Sequence, residues 1–376
     1  MPPSLRDDAR IVLTLDAGGT TFRFFATQGG RTVAEIPPVP THGDNLDACL
    51  ASIADGFTAV KALCPHAPVA ISFAFPGPAD YPAGIIGDLP NVPAFRGGVP
   101  LGPMLEERFK LPVFVNNDGN LFAYGEAIAG FLPFANDLLA DAGSPRRHRN
   151  LVGVTLGTGF GGGIVRNGEL FTGDNAAAGH VWLLRNKLNP EANADDGVSI
   201  RAVRRVYADL ARLNPEQVGD PKAIARIARG AEPGDRAAAV EAFRRVGEIA
   251  GDALGQALTL VDGLVVVGGG LAQASDLIFP ALLAALNASF QCADGARRRL
   301  GPRAFNLEDP AERAVFCRGD ATTLRVPGSA RTVVYDRLPR TAVGLSRLGT
   351  SEAISLGAYA FALHALDHAR PSGGRD

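Results

Sequence analysis

The sequence predicts an α/β protein built from two domains, and two observations support that prediction. Each half of the chain opens with a strand, a glycine turn and a second strand, while the long helical segments come later. The length of 376 residues, with 46% hydrophobic side chains, is enough for two ordinary cores. Each domain is therefore expected to open with a β-meander that helices flank.

The first half begins with three strand-like runs, which glycine pairs separate, and then alternates helices with strands. The three runs are residues 11–16, 21–27 and 32–36. Apolar spacing then predicts a helix over 44–63, a strand over 68–75, a helix over 103–109, a strand over 113–115 and a helix over 120–130. The strand before residue 118 thus ends on an acidic residue at a helix start.

The second half repeats part of this order. It predicts strands over 151–156, 164–166 and 169–171, and Asn167-Gly168 between the last two is a strong hairpin signal. Helical spacing follows over 198–260 with three breaks, then a strand over 264–267, a helix over 272–289 and a final helix over 351–368. Residues 296–340 are rich in arginine and proline, and we expect an insertion of loops and short strands there.

Charge and cysteine content exclude several classes of protein. Thirty-seven basic and 39 acidic side chains leave a formal charge of −2, so neither nucleic acid nor an acidic membrane surface is an expected partner. The four cysteines form no CxxC pair, which argues against a zinc ribbon or a disulfide framework. No leader-like or membrane-spanning apolar run is present, and a cytoplasmic location is expected.

Two glycine-rich turns could admit phosphate groups. Residues 157–162 match GxGxxG, but a strand and an Asn-Gly hairpin follow them, which disfavours a nicotinamide-binding βαβ unit. Residues 16–21 are likewise followed by a strand. Glycines without Cβ atoms let backbone N–H groups approach phosphate oxygens, and threonine hydroxyls add donors. The alternative is that both turns carry glycine only because tight hairpins need it.

Asp118 is the candidate proton acceptor. It lies where a strand meets a helix, so the free N–H groups of the first turn favour its carboxylate form. A phosphoryl transfer needs such a carboxylate to accept the proton of the attacking hydroxyl. We expect its position, rather than a raised pKa, to make Asp118 useful as a base. The alternative role for this residue is a helix cap.

The ordered set of motifs resembles the ROK family of sugar kinases, whose members share the two-domain actin-like, ribonuclease H-like ATPase fold. Any one motif is weak, but their order is specific. The motifs are Asp16-Ala17-Gly18-Gly19-Thr20 with Arg23, Phe75-Pro76-Gly77 with Gly84-Ile85 and Leu101, Asn117-Asp118-Gly119-Asn120 with Gly125-Glu126, Leu156 to Gly163, Gly268-Gly269-Gly270 and the closing helix around Ala353 to Ala360.

The resemblance implies that ATP, with Mg²⁺, phosphorylates a sugar hydroxyl, usually the 6-OH of a hexose or hexose derivative, with Asp118 as general base. Asp16 would position the Mg²⁺-bound phosphates indirectly. The expected sugar contacts are Gly77, Asn91, Asn117, Asp118 and His180. The expected nucleotide contacts are Asp16, Gly18, Gly19, Thr20, Thr21, Gly157, Thr158, Gly159, Gly161, Gly268, Gly269 and Gly270.

The resemblance also implies a domain division. The first domain would comprise residues 1–117, completed by the helix 351–368, and the second would comprise 118–350 with the insertion at about 296–340. A homodimer is implied as well. The alternative to an enzyme is a non-catalytic or weakly catalytic sugar-sensing protein of the same fold. Family members that repress transcription carry an N-terminal helix-turn-helix, for which residues before the first strand leave no room.

Two departures from the family pattern concern the sugar side. The family commonly has Glu-x-Gly-His after the second hairpin, whereas this chain has Ala177-Ala178-Gly179-His180. Residues 183–200 contain no cysteine, so we expect no structural zinc. A histidine packed near Trp182 is the alternative role for His180.

A methyl group at position 177 cannot accept a hydrogen bond from a hydroxyl. Either Asp174, Asn175 or the loop 185–197 replaces the lost contact, or the substrate lacks or masks that hydroxyl. Glucose specificity is therefore in doubt from the sequence.

Overall fold

The computed structural model describes residues 3–18, 20–89 and 92–368. Two predicted site residues, Gly19 and Asn91, lie outside this part of the chain. The chain divides into two compact units. The first unit holds the described residues of Met1–Gly130, Glu169–Ala178 and Leu348–Asp376, and the second holds Phe131–Gly168 and Gly179–Arg347.

The predicted strands and helices of the first 130 residues are present, and the structure adds four short elements, which the spacing did not predict. Up to residue 130 the elements are α1 (Pro3–Arg6), β1 (Ile11–Ala17), β2 (Thr21–Gln28), β3 (Arg31–Glu35), β4 (Val39–Pro40), α2 (Leu46–Ala62), β5 (Ala70–Ala74), β6 (Ala79–Asp80), β7 (Ile85–Ile86), α3 (Leu101–Phe109), β8 (Val113–Asn116) and α4 (Asp118–Ile128). The added elements are α1, β4, β6 and β7.

The remaining elements include the three-stranded opening of the second half and a long central helix. They are α5 (Phe131–Asp141), β9 (Leu151–Leu156), β10 (Phe160–Arg166), β11 (Glu169–Phe171), β12 (Arg185–Asn186), β13 (Asn189–Asn193), α6 (Ala194–Gly197), α7 (Ile200–Ala211), α8 (Pro221–Ala228), α9 (Arg236–Val261), β14 (Leu264–Gly268), α10 (Ser275–Leu286), β15 (Ser289–Cys292), β16 (Gly295–Arg298), β17 (Arg303–Asn306), α11 (Pro310–Arg318), β18 (Ala321–Arg325), β19 (Thr332–Asp336), β20 (Arg340–Leu345) and α12 (Thr350–His368).

The first unit is a sheet with a core on each face. Its strand order is β3-β2-β1-β5-β8, with β4 paired to β2, and the predicted meander β1-β2-β3 is confirmed. Strands β1, β5 and β8 run parallel. On one face Leu13, Phe24, Phe57 and Phe73 are fully buried beneath α2 and α3. Helix α12 covers the other face, where its Tyr359 is buried with the strand residues.

Helices α4 and α12 pack through glycines, at a separation that excludes side chains. A Cβ on Gly125 would overlap the carbonyl oxygen of Ala353, and one on Gly357 would overlap that of Leu121. Buried Glu126 accepts a hydrogen bond from the Leu348 backbone amide at 3.1 Å, just before α12 begins. This close packing fixes α4, the helix that carries Asp118 at its first residue.

The second unit has a sheet in the order β10-β9-β14-β20-β17, with helices packed against it. All five residues of β14 are buried, as expected for a central strand of a parallel arrangement. Helix α9 packs against α10, α7 and α8, and its glycines Gly247 and Gly251 lie against the backbone of α10. The core therefore lies between β14 and the long helix α9.

The expectation of loops and short strands alone over residues 296–340 was wrong. Strand β17 joins the main sheet parallel to β20, and the nine-residue helix α11 follows it. Helix α11 buries only Phe316, so it lacks the apolar period that marks longer helices. Its start signal is local, since the Asp309 side chain caps the helix and Pro310 occupies its first turn. Hairpin β18-β19 completes the segment.

Among the described residues, no helix is long and apolar enough to cross a membrane.

Candidate active site

The parallel strands of the first unit bring Asp16 and the segment around Asp118 to the same end of the sheet, where the strands finish. Leu13 on β1 is level with Ile71 on β5, which is level with Val113 on β8. Three residues further along, Asp16 is therefore level with Asn116. With a strand spacing of about 4.8 Å, their backbones lie roughly 10 Å apart. Asp118 follows Asn116 by two residues, at the same edge.

The N-terminus of α4 presents Asp118. Asn117 is the helix cap, and its Oδ1 accepts a hydrogen bond from the Gly119 amide at 2.8 Å. The Asp118 carboxylate also accepts from that amide at 2.8 Å. Because Asn117 takes the capping role, the alternative assignment of Asp118 as the cap residue does not apply. Asp118 is itself open to solvent.

The protonation behaviour of Asp118 corrects one expectation. Desolvation by the surrounding protein raises the pKa of Asp118, and the hydrogen bonds from the Gly119 and Asp118 amides only partly oppose it. Since solvent reaches the residue, this desolvation comes from the mass of protein around it rather than from a sealed pocket. Asp118 thus combines the helix-terminal position with a raised pKa, where the sequence predicted the position alone.

Tyr81 is a site residue that the sequence did not suggest. Its hydroxyl donates to the Phe75 carbonyl at 3.0 Å and accepts from the Asn117 amide nitrogen at 3.4 Å. Desolvation raises the pKa of Tyr81 to about 12, the Asn117 hydrogen bond lowers it and the Asp118 charge raises it further. A Cβ on Gly77 would lie 2.9 Å from the Tyr81 hydroxyl. Tyr81 therefore links the predicted residues Gly77, Asn117 and Asp118.

The first glycine turn is held by a buried threonine far along the chain. Within the turn, the Gly18 amide donates to the Thr21 carbonyl at 3.1 Å. Thr41, 2% exposed, donates its hydroxyl to the Gly18 carbonyl at 2.9 Å, and its amide donates to the Thr20 carbonyl at 3.1 Å. The side chains of Thr20 and Thr21 are left exposed, with their hydroxyls free to meet a ligand.

Asp16 is an available carboxylate beside this turn. It is exposed, and its carboxylate forms no hydrogen bond or ion pair with any residue that the structure describes, while its backbone pairs with β2. Mg²⁺ in nucleotide sites keeps several waters and takes one or two carboxylates together with phosphate oxygens. A single free carboxylate next to exposed hydroxyls fits that requirement.

In the second unit an acidic side chain anchors the second glycine turn. The Gly157 amide donates to the Gly159 carbonyl at 3.0 Å, closing the turn. Asp195 Oδ1 accepts from the Phe160 amide at 2.7 Å, and a Cβ on Gly159 would lie 2.8 Å from that oxygen. A Cβ on Gly161 would overlap the Thr155 hydroxyl, while Thr158 is exposed at the tip. Sequence reasoning missed Asp195.

The structure brings the third glycine motif against the second. Gly269 has φ +86°, and a Cβ there would lie 2.7 Å from the carbonyl carbon of Leu156, the residue before Gly157. Gly270 begins a 3-10 helix, and a Cβ there would meet no described atom within 4 Å. A cavity of about 220 Å³ adjoins Gly270 and is lined by α8 side chains including Lys222 and Arg226.

His180 lies next to the hairpin formed by β9 and β10, which carries the second glycine turn. Gly179 has φ +84°, and a Cβ on it would lie 2.9 Å from the Gly163 α-carbon. His180 is half-buried, its ring is 5.8 Å from that of Trp182 at 47°, and desolvation lowers its pKa. His180 therefore contacts Trp182 and also lies beside the glycine hairpin. Ala177 is exposed.

The Asn186 side chain holds the turn that follows β12, in the segment after His180. Buried Asn186 accepts hydrogen bonds from the Leu188 amide at 2.9 Å and the Asn189 amide at 3.2 Å. Over residues 3–18, 20–89 and 92–368, no group of three or more His, Cys, Asp or Glu side chains could hold a metal ion.

Two units, one with a carboxylate at a helix start and a glycine turn and the other with two packed glycine motifs, fit a kinase of the actin-like ATPase fold. The chain belongs to the ROK family, whose family model matches residues 12–295.

Two relatives described as glucokinases match most of the chain. It is 30% identical over 285 residues to a glucokinase of Thermotoga maritima, spanning 71% of this chain and 84% of that protein. A glucokinase structure from Parabacteroides distasonis matches with a TM-score of 0.88 and 53% identity, over 96% of this chain and 99% of that one.

A ROK glucokinase from Streptomyces griseus, solved with glucose and AMPPNP, matches with a TM-score of 0.58. It is 21% identical and covers 93% of this chain and 98% of that one, so it supports the fold alone.

Proposed function

We infer that this chain is an ATP-dependent sugar kinase, and we propose that Asp118 is its general base. The position of Asp118 supports this role. It is the first residue of α4, which Asn117 caps, and it lies at the same end of the sheet as Asp16. A carboxylate there is fixed by its helix yet open to solvent and therefore to a substrate hydroxyl.

The proposed step is an in-line transfer. Asp118 accepts the hydroxyl proton while that oxygen forms a bond to the γ-phosphorus, and the bond from phosphorus to the β,γ-bridging oxygen breaks to release ADP. A base works best when its pKa approaches the working pH, so the upward shift at Asp118 favours proton transfer.

The glycine turns are the proposed nucleotide contacts. Thr20 and Thr21 in one unit and Thr158 in the other expose hydroxyls beside backbone N–H groups. The cavity beside Gly270 is proposed for the adenosine, because Gly270 leaves its backbone open to a ligand and Lys222 adds a positive charge to the lining, whereas Arg226 is paired with Glu232. Asp16 would hold Mg²⁺ through water, and the ion would neutralise charge on the phosphates.

Glucose is the sugar that we propose first, acting through its 6-OH. A relative at 53% identity is a glucokinase. Ala177 offers no acceptor for a sugar hydroxyl, so we expect tolerance of substitution at the hydroxyl that an acid would contact. His180, half-buried and held by Gly179, remains a proposed sugar contact together with Gly77 and Asn117.

The hydrogen bonds that the Asn117 side chain already makes limit what it can offer to a sugar. Its Oδ1 caps α4 and its amide nitrogen donates to Tyr81, so one N–H remains for a substrate oxygen.

The comparisons do not favour a sugar sensor without catalysis. A homodimer remains part of the proposal, and sedimentation velocity would measure it.

The test is ADP release with Mg-ATP over glucose, mannose, N-acetylglucosamine and polyols, for the native chain and Asp118→Asn. We expect the variant to lose about 10²–10⁴-fold in kcat while glucose and ATP dissociation constants stay within a few-fold. Asp209→Asn, an exposed carboxylate on α7, is the matched control. Full turnover in Asp118→Asn would exclude it as the base, and no ADP release with any sugar would exclude the kinase.

A further inference from the structure

Three buried side-chain nitrogens in one corner of the second unit have no hydrogen-bond partner. They are Arg146 Nε, His148 Nε2 and Arg340 Nε. Arg146 and His148 lie between α5 and β9, and Arg340 is the first residue of β20. The Arg340 side chain has no exposed surface. Buried donors are normally satisfied, so three in one place call for an acceptor.

These residues share the same neighbours. The His148 ring stacks on Phe316 at 5.8 Å and 20°, and the Arg340 guanidinium lies 5.7 Å from the centre of that ring. Arg340 pairs with Asp336, and Arg146 Nε lies 3.8 Å from Asp336 Oδ2. The three unpartnered nitrogens therefore belong to residues that share Phe316 and Asp336 as neighbours.

The corner carries an excess of positive charge. Arg146 and Arg340 face one carboxylate, Asp336, whose Oδ1 is already occupied by backbone amides at 3.1 and 3.2 Å. Desolvation, and then the charges of Arg146 and Arg340, lower the pKa of His148 to about 4, so it is neutral near pH 7.

The remaining charged groups nearby are engaged elsewhere. The nearby Asp320 carboxylate pairs with Arg337 at 2.9 Å, and Arg147 and Arg313 donate to backbone carbonyls. A water molecule would satisfy a donor, but it would leave two guanidinium groups sharing the one carboxylate of Asp336, with the Arg340 side chain fully buried and that of Arg146 31% exposed.

We propose that a small inorganic anion, of the halide or phosphate class, binds among Arg146, His148 and Arg340. It accepts from the three nitrogens and compensates the second guanidinium. Bound there, it ties the segment before β9 to α11 and β20. The proposed anion site is separate from the residues proposed for catalysis. If no anion binds there, the kinase proposal is unaffected.

The test is thermal unfolding of the full chain at constant ionic strength, with gluconate replaced stepwise by chloride and, in a second series, by phosphate. The phosphate series contains saturating ADP and glucose, which occupy the proposed catalytic site. Mass action predicts that Tm rises by about 2–4 °C for each tenfold increase in the anion that binds. Chloride alone or phosphate alone raising Tm identifies which anion is bound.

Arg146→Met keeps most of the aliphatic length of the side chain and removes its charge. We expect this variant to abolish the rise in Tm with anion concentration. Arg149→Met, three residues on and exposed, is the matched control and should keep it. A crystal soaked in bromide should show anomalous density within hydrogen-bond distance of Arg340 Nε. The proposal is overturned if neither anion raises Tm, if both variants respond like the native chain, or if the crystal shows only water among the three nitrogens.

Discussion

Replacing Gly357 by alanine should move Asp118, although the two residues lie on different helices. The new Cβ would overlap the Leu121 carbonyl oxygen and come within 2.8 Å of its carbon and 3.0 Å of its α-carbon. Ordinary carbon contacts begin at 3.4 Å. Both partners are backbone and cannot rotate away, so α4 and α12 must separate by roughly 1 Å, a minor fraction of a usual 8–10 Å interaxial distance.

The size of the effect follows from this displacement. Overpacking costs about 1–3 kcal/mol, and the gain in helix propensity returns about 1 kcal/mol, so a net loss of up to about 2 kcal/mol is expected. At about 2–4 °C per kcal/mol, Tm should fall by up to about 8 °C. Leu121 and Asp118 share α4, and a displacement of about 1 Å at a catalytic group can cost about 10²-fold in rate.

Thermal unfolding and a coupled ADP assay measure both effects. We expect kcat to fall about 10–100-fold while the ATP dissociation constant is unchanged, because the glycine hairpins do not contact α12's Gly357. Gly301→Ala is the control, since a Cβ there meets no described atom within 4 Å. Native values of both Tm and kcat in Gly357→Ala would refute the coupling of helix packing to the position of the base.

Four further outcomes are expected. Tyr81→Phe leaves the Asn117 amide without its acceptor and should raise the sugar KM several-fold with little change in ATP binding, which steady-state kinetics would check. Because the pKa of Asp118 is raised, kcat/KM should decline with falling pH through a midpoint above 3.8, and an acid limb at or below that value would contradict this. Ala177→Glu should change sugar preference or sugar KM more than ATP affinity, and an unchanged sugar panel would show that position 177 does not face the sugar. Asp195→Ala frees the backbone amide that it holds in the second hairpin, so the ATP KM should rise while the glucose dissociation constant stays constant.

The fold could be predicted because its signals are local. The continuous apolar run of β1, the alternating pattern of β2, the Asn167-Gly168 turn and the strand that leads into Gly268 are all signals that span a few residues. Asp118 could be proposed as a site residue for the same reason, since a strand end, a cap and a helix start are adjacent in the chain. Helix α11 was missed because it buries one side chain and shows no period.

The residues that support the site could not be predicted from local patterns. Thr41 reaches Gly18 across 23 positions, and Asp195 reaches the Phe160 amide across 35. Tyr81 meets Asn117 across 36. Such partners depend on how strands and loops come together in the fold. A single polar residue in a loop has no periodic sequence pattern from which its partner could be predicted. The raised pKa of Asp118 was missed for the same reason, because desolvation comes from residues distant in sequence.

Because α12 belongs to the first unit, that unit cannot be finished in the order in which the chain is made. The ribosome releases β1, β5 and β8 early, but α12 emerges only after the whole of segment 179–347. Until then Val12, Ala70 and the rest of that sheet face lack their cover, and an uncovered apolar sheet face invites aggregation. A growing chain stalled before residue 348 should therefore depend on chaperones, although its second unit is already complete in sequence.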